Sequence, residues 1–290
     1  MAVVSLVRAK RSAVTVCATA MTLAHPQPSL LVEGDTAGGS VRFGLLRGLV
    51  GTGIGMERLA AADRQDALPE AFERNLRDLD EGSGHRKVLL GFSDPRQAAA
   101  MGVTWERLAA LLTVMDQQAG FSVLVDAGQV VLEAGALHPV LTPADVVRRS
   151  DVVLLVVPSV WRSVVEAKPV ADALLEDLQA RGGGADSLGL LVVQQGASPH
   201  PTDEISRYLR APVLGLMPWD PRTAAYLSEG GQVPRGFEAS PLMRAARSAT
   251  DQVRALAERR RVRTQWGPAA DSPVAHRLVQ QMRQRAVRGG

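Results

Sequence analysis

The chain opens with MAVVSLVRAKRSAVTVCATAMTLAHPQPSLLVEGDTAGGS, residues 1–40. Ala2–Val7 is a Val-rich apolar run of buried-strand length. After a basic break, Ser12–Ala24 has small apolar residues without Gly or Pro, which predicts a helix with Ser12 as its N-cap. Leu30–Val32 predicts a second strand, which runs into the acidic loop Glu33–Gly39. A tight loop between a first strand and a first helix is where backbone N–H groups can cradle an anion.

Strand and helix patterns alternate along the remaining sequence. The strand candidates are continuous apolar runs, which is typical of parallel strands that are buried on both faces. We therefore predict an α/β fold, a doubly wound and mainly parallel sheet of about seven strands with helices on both faces. Beyond the first two, the candidates are Lys87–Gly91, Phe121–Asp126, Asp151–Val157, Leu188–Val193 and Pro212–Met217.

Several of these strands carry family-like motifs. The N-terminal strand AVVSL is followed by the Lys10–Thr15 loop and by LLVEGDTAGG. Downstream, the supporting segments are VLVDAG (Val123–Gly128), DVVLLVVPS (Asp151–Ser159) and APVLGLMPWDPR (Ala211–Arg222). With these motifs the sequence resembles the ParA/MinD group of deviant P-loop ATPases over residues 1–240. It looks closest to divergent actinobacterial-type members with a degenerate loop.

The phosphate-binding loop departs from that family. The family has Lys-Gly-Gly-x-Gly-Lys-Thr, whereas this chain has the shorter run Lys10-Arg11-Ser12-Ala13-Val14-Thr15. Arg11 and Ala13 stand where the family has glycines, and a Cβ hinders the close backbone approach that a phosphate nest needs. Val14 stands at the phosphate-binding lysine and cannot neutralise phosphate charge. Arg8, Lys10 or Arg11 could supply positive charge, but without the fixed geometry.

The resemblance implies roles for five side chains. Thr15 and Asp126 would serve a magnesium ion. Asp35 would orient the attacking water near the γ-phosphate, and Glu33 would lie beside the switch. Lys10 matches the family's signature lysine and would reach the nucleotide of the other subunit, because the family works as an ATP-sandwiched dimer.

The resemblance also implies a nucleotide site. The loop from Arg11 to Thr15 would hold the phosphates, and Gln194, Pro218 and Asp220 fall near the loops that hold adenine in the family. The implied cofactors are ATP and Mg²⁺ where nucleotide binding is retained, and none where it is lost. The implied partners are a second copy or a related ATPase, together with a protein of a partitioning, secretion or pilus system.

Charge is distributed unevenly along the chain. Residues 241–290 contain eleven Arg and three acidic residues, so this stretch carries +8 and residues 1–240 carry −5. We therefore divide the chain into an α/β domain, residues 1–240, and a basic helical C-terminal extension, residues 241–290. The extension has a long helix over Ser240–Arg263 and a second amphipathic helix over Pro273–Val287. Three roles for residues 257–290 stay open: a solvated basic face, binding to an anionic membrane surface, and non-specific DNA binding.

Other classes of protein have little support. No apolar run approaches the 18 residues of a transmembrane helix. The single cysteine, Cys17, cannot form an internal disulfide, which suits a reducing cytoplasm. The five histidines have no metal-ligand spacing, and the Gly51–Gly55 cluster follows no clear strand and is interpreted as a loop. We expect a cytoplasmic protein, with a peripheral location at the membrane or nucleoid also open.

Three functional hypotheses follow. The first is a ParA/MinD-like protein with weak or lost nucleotide binding, which acts as a dimerising positioning or scaffold factor in partitioning or in the placement of secretion or pilus machinery. The second is an active but slow Mg-ATPase switch in which Lys10 replaces the missing lysine. The third is a nucleic-acid-binding module that uses the Arg-rich extension, and the salt dependence of DNA binding would separate it from the others.

Overall fold

The computed structural model describes residues 2–80, 82–195 and 200–264. Numbered along the chain, its strands are β1 Val3–Arg8, β2 Ser29–Glu33, β3 Leu76–Asp78, β4 Arg86–Leu89, β5 Ser122–Gln129, β6 Leu132–Glu133, β7 Ala136–Leu137, β8 Val152–Pro158, β9 Leu188–Gln194 and β10 Val213–Pro218. Its α-helices are α1 Val14–Ala24, α2 Met56–Asp63, α3 Leu68–Asn75, α4 Thr104–Gln117, α5 Ala144–Arg149, α6 Trp161–Arg181, α7 Thr202–Leu209, α8 Pro221–Glu229 and α9 Pro241–Thr264.

Eight of the described strands form one sheet, in the order β10-β9-β8-β1-β5-β2-β4-β3. Its neighbouring strands pair in parallel, with the exception of β3 and β4, which pair antiparallel. This confirms the predicted doubly wound parallel sheet, and each of the seven predicted strands is present. The sequence does not predict β3 or the hairpin of β6 and β7, because segments of two or three residues contain no recognisable apolar run.

Alternate residues of the central strands enter two cores, one on each face of the sheet. In β1, Val3 and Val7 join the first core, whereas Val4 and Leu6 join the second. Helices α4 and α6 cover the first core, and α1 and α9 cover the second. A strand that is buried on both faces needs apolar residues at successive positions, which explains the unbroken apolar runs in the sequence.

Helix α9 packs onto the second core over most of its length. Leu242, Met243, Ala246 and Val253 are all buried there. The predicted long helix is therefore present, and residues 241–264 belong structurally to the α/β domain. The predicted second helix over Pro273–Val287 lies outside the described residues, so a separate basic extension stays a prediction for residues 265–290.

A carboxylate joins the end of α9 to the beginning of the sheet. Asp151 accepts a hydrogen bond from the backbone N–H of Val3 at 2.8 Å and another from Arg261 Nε at 2.8 Å. Arg261 also donates to the buried carboxylate of Asp116 on α4. The last described turn of α9 is thereby fixed to both β1 and α4.

None of the described helices is by itself long and apolar enough to cross a membrane. The 3₁₀ segment Pro95–Met101 and α4 together reach the length and apolar composition of a membrane span, but they meet at an angle of 83°.

Candidate functional site

The strand order brings three acidic residues to one edge of the sheet. β1, β5 and β2 are neighbours, and Glu33 at the end of β2 pairs in register with Asp126 on β5. Asp35 follows two residues after Glu33. Because the carboxyl ends of parallel strands meet at the same edge, residues far apart in sequence converge here.

Thr15 and Asp126, the residues expected to serve magnesium, lie in direct contact. Thr15 Oγ1 donates to Asp126 Oδ2 at 2.5 Å, and the N–H of Gly128 donates to Asp126 Oδ1 at 3.0 Å. Asp126 is only 1% exposed. Burial, assisted by the nearby charges of Asp35 and Glu33, raises the pKa of the Asp126 carboxyl to about 7, although the Thr15 bond lowers it. A divalent cation at this point would relieve the carboxylate's cost of burial.

Asp35, the residue expected to orient water, is held by groups of its own chain. Arg8 Nη2 lies 2.9 Å from Asp35 Oδ2, and the N–H of Ala37 donates to Asp35 Oδ1 at 2.9 Å. Gly128, which has a φ of +68°, packs directly against the Asp35 side chain. A Cβ added to this glycine would lie only 2.2 Å from Asp35 Cγ. The carboxylate is therefore paired with Arg8, and sequence reasoning does not identify this pairing.

The loop over residues 9–13 does not rebuild a lysine-based phosphate site. Helix α1 begins at Val14, so Ala13 occupies the N-cap position and the predicted cap at Ser12 is wrong. Ala13 cannot cap the helix because it has no side-chain acceptor, and Ser12 Oγ is buried with no hydrogen-bond partner among the described residues. The Val14 side chain is fully buried in the second core. The position at which the resemblance predicts the phosphate-binding lysine thus supplies packing and no charge.

Lys10 and Arg11 line an open cleft beside this loop. The cleft has a volume of about 570 Å³, and Arg162 and Glu166 of α6 form part of its opposite wall. Lys10 Nζ lies 3.3 Å from Glu166 Oε1, and its side chain is 63% exposed. Lys10 is therefore available to solvent and engages a carboxylate of α6.

The residues expected near adenine lie at the ends of β9 and β10. Gln194 and Pro218 pair in register, and the N–H of Trp219 donates to the Gln194 carbonyl at 2.8 Å. Asp220 caps α8, because its carboxylate accepts from the N–H of Arg222 at 3.2 Å and from the Thr223 hydroxyl at 2.7 Å. These three residues lie together, and β8 separates their strands from β1.

Glu33 has a structural role at the edge of the site. Its two carboxylate oxygens accept from the N–H groups of Ser40 and Val41, both at 2.8 Å, and of Gly91 at 3.0 Å. Burial raises the pKa of Glu33, and these three backbone bonds oppose that rise. Glu33 thereby anchors the loop that follows β2, and its place beside a switch stays a prediction.

The side chains fit only part of the group that the fold implies. Thr15 and Asp126 are hard oxygen ligands of the kind that Mg²⁺ prefers, with water or phosphate completing its shell. Among the described residues no group of three or more His, Cys, Asp or Glu side chains could hold a metal ion by itself. The loop has a buried valine, Val14, at the position predicted for the phosphate-binding lysine, so the residues present do not fit a tightly bound triphosphate.

Comparison with solved structures identifies proteins of the same architecture. The septum site-determining protein MinD in complex with Mg-ADP from Pyrococcus horikoshii matches with a TM-score of 0.62 and 16% identity, over 89% of this chain and 98% of that one. The ParA family ATPase from Chlorobium tepidum matches with a TM-score of 0.61 and 14% identity, over 86% and 97%. The MinC:MinD cell division complex of Aquifex aeolicus matches with a TM-score of 0.59 and 16% identity, over 93% and 98%.

Protein-family models and curated protein sequences give no match to this chain. At these identities the structural matches concern the fold.

Proposed function

We propose that this chain, which has the fold of ParA/MinD-type P-loop ATPases, is a member of that architecture that has lost nucleotide hydrolysis and acts as a dimerising positioning or scaffold factor. The observation that carries the proposal is the burial of Val14 in the core at the position of the phosphate-binding lysine. The ion pair between Arg8 and Asp35 adds to it.

The missing lysine and the paired Asp35 each support the loss of hydrolysis. A triphosphate concentrates negative charge, and a P-loop without its lysine leaves that charge unneutralised at the β- and γ-phosphates. Asp35, the carboxylate expected to position the water, already accepts from Arg8 and from the N–H of Ala37. Freeing it would cost a partly buried ion pair, whose side chains are 19% and 10% exposed.

The retained features suit a protein that binds other proteins. The described residues form the full eight-stranded sheet and a core on each of its faces, which gives a frame on which a partner can dock. The MinC:MinD complex shows that a neighbour of this fold assembles with another protein. We place this chain in a homodimer, or a heterodimer with a related ATPase, within a partitioning, secretion or pilus system of the cytoplasm.

The decisive experiment is calorimetry with ATP and Mg²⁺ on the full chain, together with sizing chromatography with and without nucleotide. We expect no binding up to millimolar ATP and the same oligomer in both columns. Micromolar binding that drives dimer formation would overturn the proposal. Thermal unfolding of each sample confirms that the protein is folded.

A slow Mg-ATPase is the second candidate, and the exposure of Lys10 in the cleft beside Arg11 and Arg162 favours it. In that case Lys10→Ala would abolish ATP binding. Lys87→Ala is the matched control, because Lys87 also forms one ion pair, 2.9 Å from Asp78, away from the cleft. Binding that is lost in the first variant alone would establish the switch hypothesis in place of the scaffold.

A further inference from the structure

The loop between β2 and α2 has an unusual composition. From Thr36 to Met56 the sequence contains no Asp or Glu, while it contains Arg42 and Arg47 and a series of Leu, Val, Ile and Phe residues. We call residues 40–55 the 40–55 loop. A segment of this size on a protein surface normally carries charges of both signs, so a cationic and apolar loop needs an explanation.

The 40–55 loop contains five glycines, and a buried arginine links its two halves from the inside. The Arg42 side chain is 1% exposed, and its guanidinium donates to the carbonyl of Gly51 at 2.5 Å and to that of Ile54. Glu57 lies 3.8 Å from the same guanidinium. Arg42 thus joins the two halves of the loop from the inside.

The backbone of the loop satisfies many of its own polar groups. The N–H groups of Gly44, Leu46, Gly48 and Leu49 donate to carbonyls within the loop at 2.8–2.9 Å. A backbone with internal hydrogen bonds can leave water at a lower cost than an open one. The loop can therefore enter a less polar environment without unfolding.

The outer surface of the loop presents large apolar side chains. Leu49 is 88% exposed and Phe43 is 59% exposed, although Val41, two residues before Phe43, is buried in the second core. Arg47 is exposed at the tip, and Arg58 is exposed at the base, where its Nε donates to the Gly53 carbonyl at 2.8 Å. Exposed apolar side chains and exposed arginines thus occur together in the 40–55 loop and its immediate flank.

We propose that the 40–55 loop is an interfacial anchor that inserts Phe43 and Leu49 into the headgroup region of an anionic lipid bilayer. Anionic headgroups complement Arg47 and Arg58, and no carboxylate of the loop repels them. The acyl boundary accepts the two apolar side chains, as it does those of interfacial helices. Membrane insertion by this loop requires no nucleotide, so its test is separate from the test of the proposed scaffold function.

A dye placed at the tip tests insertion directly. The sole native thiol, Cys17, is 1% exposed, so an environment-sensitive thiol dye labels Leu49→Cys almost exclusively. Vesicles of phosphatidylcholine with phosphatidylglycerol should shift its emission to the blue, and vesicles of phosphatidylcholine alone should not. Val103→Cys is the control, because Val103 is 78% exposed and lies at the start of α4 on the first-core side. Identical responses at both positions, or none at Leu49→Cys, would overturn the proposal.

Vesicle co-sedimentation of the full chain supplies the second arm. Because Leu49 and Phe43 are exposed, Leu49→Asp and Phe43→Asp should leave the melting temperature unchanged while each weakens binding to anionic vesicles roughly tenfold. Val103→Asp should bind as the wild type does. Equal binding by all three variants would refute the loop as the anchor.

Discussion

Replacing Asp126 by Asn should make the protein more stable at pH 8, even though Asp126 is central to the candidate site. The pKa of this carboxyl is about 7 in the folded chain, against an ordinary value of 3.8, chiefly because of burial. Between these two values the folded state holds a proton that the unfolded state has lost. The contribution of Asp126 to the free energy of unfolding therefore falls as the pH rises from about 4 to 7.

The size of the effect follows from the same shift. One pKa unit corresponds to about 1.4 kcal/mol, so ionising Asp126 between pH 5 and pH 7 costs about 3 kcal/mol. Asn is neutral at every pH and avoids this cost. Its amide can keep both hydrogen bonds, because its oxygen accepts from Gly128 while its NH₂ donates to the Thr15 hydroxyl, which can also act as an acceptor.

The assay is urea unfolding of the wild type and Asp126→Asn at intervals between pH 5 and pH 8, without Mg²⁺, because a bound cation would lower the pKa. We expect the stability of the variant relative to the wild type to rise by about 3 kcal/mol across this range. Taking the difference removes the contributions of other titrating groups. A relative stability that stays flat or falls with pH would refute the reasoning about Asp126.

Asp177→Asn is the matched control. Burial raises the pKa of Asp177, but hydrogen bonds from Arg148 and Arg181 outweigh burial and hold it below its ordinary value. The carboxylate is then ionised in both the folded and unfolded states above about pH 5. This variant should lose stability by an amount that does not change between pH 5 and pH 8.

Three further predictions concern Glu33, Gly128 and His25. Glu33→Ala should lower the free energy of unfolding by about 2–6 kcal/mol in urea, because it leaves the buried N–H groups of Val41 and Gly91 and the part-buried N–H of Ser40 without their acceptor. Glu33→Gln should cost less because it retains one acceptor. Gly128→Ala should cost about 2–4 kcal/mol because its Cβ would overlap Asp35, whereas Gly120→Ala, with a φ of +78° and open space, should cost only about 1 kcal/mol. NMR titration should give His25 a pKa of about 4, because burial and nearby arginines disfavour its charged form. The contribution of His25 to the free energy of unfolding should therefore decline as the pH falls below about 6.5. A titration midpoint near 6.5 would contradict this prediction.

Much of the fold could be predicted because the information is local and repeated. Seven continuous apolar runs separated by helical patterns specify a buried parallel sheet, and the sheet brings strand ends together. Placing Thr15 near Asp126 required only that β1 and β5 be neighbours, which the family resemblance supplied. Their hydrogen bond shows that the expected magnesium pair is brought together.

The pairing of Arg8 with Asp35 could not be predicted in this way. It depends on the direction of a long side chain at the end of β1, and the sequence shows only one of several basic residues there. The predicted cap at Ser12 is wrong for a similar reason. Val14 is buried in the core and is the first residue of α1, so the N-cap position falls on Ala13. Side-chain direction and core packing are tertiary properties that local propensity does not encode.

The shared carboxylate of Asp151 has a consequence for biosynthesis. It accepts from Val3 near the start of the chain and from Arg261 near the end of α9. At roughly 5–20 residues per second, a ribosome needs on the order of 10–50 s to add the arginine after the valine. During that time Asp151 has no Arg261 to pair with, and the apolar surface that α9 later covers is open to chaperones. Completion of this domain is therefore coupled to the synthesis of α9, the last helix that the structure describes.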